Sequence, residues 1–244
     1  MKLVIFSGTT EGREFSRAAA ALGAAVTVCV ATDLGAEEQG SAPGVTVHAG
    51  RLDADEMAAL LRDAALCVDA THPYATEATH NIRAAAGMAG VEYHRLLRRA
   101  SELPAGSVVL PGAGEAAAYL ADKAGRILLT TGAKELPAFA ALDPARLYPR
   151  VLPTLAGITA CEAAGVPHRN IIAMQGPFTL GLNVALMQQF EIDYLVTKDG
   201  GAQGGFAEKA EAAAQCGAQL IVLRRPDEQG ETAETILQRC RELL

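Results

Sequence analysis

The sequence predicts an α/β protein built on two mainly parallel sheets, and three observations lead to that prediction. Short apolar runs alternate with alanine-rich helical stretches along all 244 residues, as expected for parallel strands joined by helical crossovers. Half of the residues are hydrophobic, yet only 5% are aromatic and there is no tryptophan, a mix typical of buried strands covered by helices. The apolar runs are also too numerous for one small doubly wound sheet.

The alternation assigns each element in order along the chain. The predicted strands are 3–7, 26–30, 45–48, 66–69, 91–96, 108–111, 127–130, 147–152, 171–174, 194–197 and 220–223. The predicted helices are 11–22, 53–64, 75–89, 114–123, 135–142, 154–164, 180–190, 205–216 and 231–243. A polar segment over 98–106 and the breakers at 111–114 interrupt the pattern, so we predict domains over 1–105 and 106–244.

Composition excludes several classes of partner. The formal net charge is −7, whereas nucleic-acid binders carry a basic face. No apolar run approaches the roughly 18–20 residues of a membrane span. The five cysteines are scattered and form no C-x-x-C pair, which argues against a metal site or a disulfide framework and fits a reducing cytoplasm. We therefore expect a cytoplasmic protein that binds no nucleic acid, membrane or metal.

The first motif is S-G-T-T-E-G-R at 7–13, between the first strand and the first helix. Gly8 permits a tight turn there, Thr9 and Thr10 add hydroxyl donors, and the N–H groups at a helix start bind phosphate. Gly12 takes the place of the third glycine of a dinucleotide fingerprint, although the spacing is not G-x-G-x-x-G. The alternative is an ordinary strand–helix turn with a threonine helix cap.

The second predicted strand ends at Val30 without an acidic residue. An acid at this position binds a ribose 2′-hydroxyl, whereas a 2′-phosphate needs arginine and hydroxyl groups. Thr32 and Arg13 are available for a 2′-phosphate. Asp33 lies about three residues past the strand, where it is either a ribose ligand or a solvated loop acid.

The motif D-A-T-H-P-Y-A at 69–75 follows the fourth strand. It therefore lies at the carboxyl end of the sheet, where open α/β folds bind ligands. Thr71, His72 and Tyr74 converge there, and a histidine in such a place is a functional candidate. His80 lies two turns along the next helix, and we interpret it as structural.

Motifs of the second half repeat this placement. T-T-G-A-K-E-L at 130–136 directs Lys134 toward the cleft between the domains, and M-Q-G-P-F-T at 174–179 follows another strand. Arg150 lies inside an otherwise apolar strand, which is costly unless the charge meets a partner or a ligand. A half-exposed edge strand is the alternative for this arginine.

A charged pair follows the strand predicted at 194–197. Lys198 and Asp199 lie there side by side, and glycines surround them at 200, 201, 204 and 205. Packing explains such a pair poorly, and loop residues positioned by a rigid sheet frequently carry function.

Taken in order, these motifs resemble the precorrin-6A reductase family, including its cobalt-precorrin relatives. The matching segments are G-T-T-E-G-R, D-A-T-H-P-Y-A, T-T-G-A-K-E-L, R-V-L-P, A-M-Q-G-P-F and V-T-K-D-G-G-A-Q-G-G-F, spread from Leu3 to about Arg225. The resemblance implies two Rossmann-like domains with an inter-domain cleft. It also implies reduction of a ring double bond in a methylated tetrapyrrole, with NADPH as cofactor, or NADH as in some anaerobic-pathway members.

The resemblance further implies roles for individual residues. The N-terminal domain would bind nucleotide and the C-terminal domain the tetrapyrrole, with neighbouring pathway enzymes as further partners. The residues expected near the cofactor are Gly8, Thr9, Thr10, Glu11, Gly12, Arg13, Thr32 and Thr71. The residues expected around the substrate are Tyr74, Lys134, Arg150, Gly176, Pro177, Phe178, Gly200 and Gly201. Lys198, Asp199 and His72 are expected to act in catalysis, and the proton donor stays open between Asp199, water and His72.

Two other functions fit the same pattern. One is a cofactor-free cyclase or lyase that acts on a linear tetrapyrrole, which predicts no nicotinamide binding. The other is a non-enzymatic module that binds a small molecule, which predicts binding without turnover. Titration with NADPH and NADH, followed by fluorescence, separates these alternatives from a reductase.

Overall fold

The computed structural model describes residues 1–97, 101–201, 204–226 and 229–244. The chain forms two compact units, a first unit of Met1–Arg98 with Pro226–Leu244 and a second unit of Arg99–Arg225. The sequence predicted domains over 1–105 and 106–244, so the structure divides the chain differently: the C-terminal segment returns to the first unit. Breaker residues mark where an alternating pattern stops, but they do not reveal against which sheet a final amphipathic helix packs.

The first unit contains a five-stranded parallel sheet with strand order β3-β2-β1-β4-β5. Its strands are β1 Lys2–Phe6, β2 Ala25–Val30, β3 Val45–Ala49, β4 Leu66–Asp69 and β5 Glu92–Arg95. Its helices are α1 Thr10–Ala21, α2 Asp33–Gln39, α3 Ala54–Leu61 and α4 Thr76–Ala89, followed at the end of the chain by α9 Ala233–Leu243. This is the order of a doubly wound nucleotide-binding sheet, and its direction of winding reverses between β1 and β4.

Side chains of the first sheet alternate between two cores, as the period of a strand requires. Leu3 and Ile5 of β1 face α1 and α9, where Phe15 and Ile236 pack against them. The intervening residues of β1 face the core formed by α3 and α4 on the other side. Both faces of β1 are therefore buried, which explains its continuous apolar sequence.

The C-terminal segment is held at the β5 edge by backbone and charge contacts. Leu96 and Glu231 form an isolated parallel bridge, with Glu231 N donating to Arg95 O at 2.8 Å and Leu97 N donating to Glu231 O at 2.9 Å. His94 lies between two carboxylates, with Nδ1 2.6 Å from Glu231 Oε1 and Nε2 3.0 Å from Glu92 Oε1. These contacts explain why residues after 226 belong to the first unit.

The second unit contains a six-stranded parallel sheet with strand order β6-β11-β10-β7-β8-β9. Its strands are β6 Val108–Leu110, β7 Arg126–Leu129, β8 Leu147–Val151, β9 Ile172–Ala173, β10 Ile192–Lys198 and β11 Gln219–Leu223. Its helices are α5 Ala113–Leu120, α6 Leu155–Ala163, α7 Leu180–Gln189 and α8 Phe206–Cys216. The winding direction reverses between β7 and β10, so this sheet also has a switch point.

One predicted helix has a different type in the structure, and one observed helix was not predicted. The predicted helix over 135–142 is a 3-10 helix over Ala133–Phe139, with Pro137 inside it; proline removes a backbone donor that a continuous α-helix needs. Helix α2 was not predicted from the sequence, because it is short and polar and contains Gly35. In the structure Thr32 caps this helix, because its Oγ1 accepts from Gly35 N at 3.0 Å.

Candidate functional site

The carboxyl edge of the first sheet brings the loops after β1 and β4 together. Thr9 Oγ1 donates to Ala70 O at 2.9 Å and accepts from Gly12 N at 3.1 Å. Thr9 is therefore both the cap of α1 and the link between the two loops at the switch point. The crevice between these two loops faces the start of α1. Doubly wound sheets bind phosphate groups at this position.

Two glycines shape the loop at 7–13. Gly8 is exposed and has φ +142°, and a side chain built there would meet no atom within 4 Å, so the space above it is open. A Cβ on Gly12 would instead collide with Ser7 Oγ and would lie 2.8 Å from Ala70 Cβ. Gly12 therefore lets α1 close onto the strand edge, and Gly8 leaves backbone accessible from outside.

Arg13 and Thr32 lie on the β2 side of this crevice. Arg13 Nη1 donates to Glu38 O at 2.9 Å, which joins α1 to α2. The same pair of helices is joined by a buried hydrogen bond from Gln39 Nε2 to Ser16 Oγ at 3.0 Å. Thr10 and Glu11 belong to the first turn of α1, so the predicted cofactor residues from Gly8 to Arg13 lie together.

Beneath the 70–74 loop lies an ion pair that the sequence prediction did not include. Asp69 is fully buried and Arg95 is 3% exposed, and Arg95 Nη1 lies 2.6 Å from Asp69 Oδ1. The same carboxylate accepts from Thr71 Oγ1 at 2.7 Å, from Thr71 N at 3.0 Å and from Tyr93 Oη at 3.1 Å. Thr71 therefore positions the loop after β4 through this network. An arginine inside a predicted strand was the available signal, as it was for Arg150.

His72 and Tyr74 are half-buried residues of the same loop. Their ring centroids are 5.6 Å apart, and Tyr74 N donates to His72 Nδ1 at 3.3 Å. A cavity of about 510 Å³ adjoins this loop in the first unit. Pro73, Thr79, His80, Arg83, Arg95 and Pro226 are among its lining residues.

The carboxyl edge of the second sheet brings the loops after β7 and β10 together in the same way. Thr130 Oγ1 donates to Val196 O at 3.1 Å, and Lys198 Nζ donates to Glu135 Oε1 at 2.7 Å. Lys134 lies beside Glu135 in the same loop. The predicted substrate lysines thus lie at this second switch point, and Lys198 has a carboxylate partner within the chain.

Asp199 organises the glycine turn that follows β10. Its side chain is 5% exposed and accepts from Gly201 N at 3.0 Å and from Ser101 N at 3.1 Å. Gly201 has φ +69°, and a Cβ on Gly200 would come within 3.2 Å of Gly204 Cα. The carboxylate therefore acts as an acceptor that holds a turn too tight for larger residues.

Arg150 is buried inside the second sheet. The alternative of a half-exposed edge strand is wrong, because β8 pairs with both β7 and β9 and Arg150 is 7% exposed. Its Nη1 donates to Asn183 Oδ1 at 2.8 Å, and its guanidinium carbon lies 3.9 Å from the centroid of the Phe178 ring. Burial lowers the pKa of Arg150 to about 10. Phe178 follows the exposed Gly176 and Pro177, so this predicted segment contacts the arginine through Phe178.

Lys209 is a second buried cation in this region, and the sequence prediction missed it. It is 8% exposed, and burial, followed by the neighbouring Arg150 charge, lowers the pKa of its ammonium group to about 8. The available signal was spacing: Lys209 lies three residues after Phe206 and one before Ala210, on the apolar side of α8.

The predicted site residues therefore form two groups, one at each switch point. His72 belongs to the first unit, whereas Lys198 and Asp199 belong to the second. Among the described residues, no group of three histidine, cysteine or acidic side chains could hold a metal ion. In the same part of the chain, no helix is long and apolar enough to cross a membrane.

Comparison with known proteins identifies the group to which this sequence belongs. The family model described as precorrin-6x reductase CbiJ/CobK matches residues 2–241. The chain belongs to that family. The resemblance inferred from the ordered motifs is thereby confirmed, and the family is one of reductases in cobalamin biosynthesis.

Individual family members match most of the chain. The cobalt-precorrin-6A reductase of Priestia megaterium is 35% identical over 231 residues, which cover 92% of this chain and 90% of that protein. The cobalt-precorrin-6A reductase of Salmonella typhimurium is 34% identical, covering 92% and 87% of the two chains. The solved structure of CobK precorrin-6A reductase superposes with a TM-score of 0.77 at 23% identity and covers 99% of this chain and 96% of that one. The predicted α/β fold with two Rossmann-like domains is confirmed by this match.

Proposed function

We propose that this chain reduces a ring double bond of precorrin-6A or cobalt-precorrin-6A, with NADPH as the hydride source. The observation that carries the proposal is the family match over residues 2–241. A reduced nicotinamide would supply the hydride, and the protein supplies binding, orientation and electrostatics. A proton is also needed at the neighbouring ring carbon, and Asp199, water and His72 remain the candidates.

The loop at 7–13 fits the phosphates of such a cofactor. Gly8 leaves its backbone open to the outside, and Gly12 lets α1 begin directly at the strand edge. The backbone N–H groups at the start of α1 carry partial positive charge and suit an anionic ligand. We therefore assign Gly8, Thr9, Thr10, Glu11 and Gly12 to the cofactor, with Thr71 positioning the adjacent loop.

We base the preference of this protein for NADPH over NADH on Arg13 and Thr32. The loop after β2 carries no acid at the strand tip, and Arg13 lies within reach of α2 through Glu38 O. We expect Arg13→Ala to weaken NADPH binding by roughly tenfold and NADH binding by much less, because the guanidinium would contact only the 2′-phosphate. Fluorescence titration of both cofactors measures this. Equal weakening for the two cofactors would show that Arg13 does not read the 2′-phosphate.

The substrate side of the proposal depends on the cationic and glycine-rich loops of the second unit. A methylated tetrapyrrole carries many carboxylates, for which Lys134, Lys198 and Arg150 are suitable partners. The exposed Gly176 presents its backbone to a ligand, whereas Gly200 and Gly201 allow the tight turn after Lys198 and Asp199. We assign these three glycines to the substrate side on that basis. We assign Tyr74, Pro177 and Phe178 to contacts with the same ring.

Lys198 provides a test of this assignment with a matched control. We expect Lys198→Ala to raise the Michaelis constant for the macrocycle by roughly tenfold with little change in turnover number, because a charge-assisted contact is lost. The control is Glu135→Gln, which removes the partner of Lys198 and keeps the ammonium group. If both variants raise the Michaelis constant equally, the ion pair itself is what matters, and Lys198 is not a substrate ligand.

The cofactor-free cyclase and the binding module predict different behaviour in one titration. We expect the purified protein to quench or enhance NADPH fluorescence saturably and then to oxidise the bound cofactor when the macrocycle is added. Absence of NADPH and NADH binding would favour the cyclase. Binding without oxidation in the presence of the macrocycle would favour the module.

A further inference from the structure

The face of the second sheet that α7 and α8 cover ends in charged side chains. Leu195 of β10 faces this side, and strand alternation carries Thr197 onto the same face. Asp199 follows the end of the strand and is close enough to Lys209 to influence its ionisation. Tyr148 of β8 also packs on this side, so Arg150, two residues later, follows it. Asp199 and Arg150 thus lie at the carboxyl edge of this sheet, where both are buried.

Lys209 reaches the same region from helix α8. The helix starts after β10 and so begins at the carboxyl edge of the sheet. Helical side chains lean toward the N-terminus of their helix, which directs Lys209 toward that edge. Arg150, Glu208 and Asp199 are the charged groups close enough to influence its ionisation.

Neither buried cation of this region forms an ion pair with a carboxylate. In the part of the chain that the structure describes, Lys209 has no hydrogen bond or ion pair, and Arg150 donates to the neutral amide of Asn183 and to no carboxylate. Asp199 and Glu208 lie close enough to influence Lys209, but Asp199 accepts two backbone N–H groups instead. Burying two cations without a directly paired carboxylate is costly unless an anion reaches them.

We propose that Arg150 and Lys209 form a recess that binds one carboxylate of the macrocycle. This inference rests on the proposed function, because that substrate supplies the carboxylates. The planar guanidinium of Arg150 is stacked on Phe178, which restricts its orientation and suits a bidentate carboxylate. Lys209 adds a point charge from the adjacent helix. Asp199 offsets part of the remaining positive charge.

The recess makes substrate binding depend on pH. Burial and Arg150 lower the pKa of Lys209 to about 8, while Glu208 and Asp199 act in the opposite direction. The elements packed against α8 add few other titratable groups on this side. Helix α7 and strand β11 carry no charged residue. The remaining titratable groups to consider are Asp193 of β10 and Tyr148 of β8. The Michaelis constant should therefore rise as pH passes upward through about 8, because Lys209 loses its charge.

Stability should change in the opposite direction to function. The pKa of Lys209 lies below its ordinary value, so burial of the charged form costs stability below about pH 8, and that cost is progressively relieved as pH rises above it. Lys209→Met removes the buried charge and keeps an unbranched side chain. We therefore expect a melting temperature equal to or above that of wild type at pH 7.

The test is steady-state kinetics of Lys209→Met at pH 7 with precorrin-6A or its cobalt form, with Lys123→Met as control. Lys123 lies in the same unit but is 31% exposed. We expect the Michaelis constant to rise roughly ten- to hundredfold for Lys209→Met, with little change in turnover number and no loss of melting temperature. The control should match wild type. If Lys209→Met leaves the Michaelis constant unchanged, or raises it together with a lowered melting temperature, the proposal that this recess binds a substrate carboxylate is wrong.

A second variant separates charge from folding effects. Lys209→Arg keeps a positive charge at all accessible pH values, so its Michaelis constant should no longer rise above pH 8. Retention of the wild-type pH profile in this variant would overturn the proposal. Failure of the wild-type enzyme to reduce the macrocycle at all would instead overturn the proposed function. The two failures are therefore distinguishable.

Discussion

Replacing Asp69 with asparagine is expected to lower the free energy of unfolding by about 3–5 kcal/mol, because it breaks a buried ion pair by removing one of its two charges. Arg95 is 3% exposed and its Nη1 lies 2.6 Å from the Asp69 carboxylate. Denaturation by urea, with the unfolding of the first unit followed, measures the loss.

An exposed ion pair provides the control for Asp69. Arg241 and Glu234 are 43% and 77% exposed, so Glu234→Gln should change the free energy of unfolding by less than about 1 kcal/mol. The double variant Asp69→Asn with Arg95→Met removes both charges and should recover part of the loss. A similar small effect for Asp69→Asn and Glu234→Gln would show that the buried pair does not stabilise this edge.

Replacing Gly8 with valine is expected to weaken binding of NADPH by roughly a hundredfold or more. The side chain would occupy the open space above the loop, where we propose that the phosphates approach the backbone. Strain is a separate effect, since φ at Gly8 is +142° and a β-branched residue in that region costs on the order of 1–3 kcal/mol. Fluorescence titration measures the affinity, and a thermal melt measures the strain.

Gly23→Val controls for strain alone. Gly23 has φ +98°, and a Cβ at this position would meet no atom within 4 Å, but the residue lies in the turn between α1 and β2, at the amino edge of the sheet. Both variants should lower the melting temperature, whereas only Gly8→Val should weaken cofactor binding. Equal affinities for the two variants would mean that the 7–13 loop does not hold the phosphates.

Much of the fold could be predicted because parallel strands and their helices carry strong periodic signals. The predicted strands all overlap observed ones, and the motifs after them lie at the carboxyl edges as expected. Helix α2 was missed because a seven-residue polar helix has no apolar stripe to detect. The return of α9 to the first unit depends on its packing against Phe15 and the β5 edge, which no local pattern reveals.

The candidate site was predictable where residues follow strands and less so elsewhere. Gly8, Thr9 and Asp199 were predicted because they follow strands, at the edge where α/β sheets bind ligands, and their roles in the site stay predictions. Arg95 was not predicted, although it lies inside a strand as Arg150 does. Its strand also contains Glu92 and His94, so the amino-acid sequence of that strand does not indicate burial. Lys209 was missed because one lysine within a helix usually points to solvent.

Single-turnover reduction of precorrin-6A or cobalt-precorrin-6A by the purified protein with NADPH is the decisive measurement for the proposed function. We predict that one cofactor is oxidised for each macrocycle consumed, and that the product has gained one hydride and one proton by mass spectrometry. Gly8→Val should abolish this at a cofactor concentration that saturates wild type. Recovery of an unreduced macrocycle, or cofactor oxidation that does not depend on the macrocycle, would contradict the assignment of this chain as a reductase of that ring.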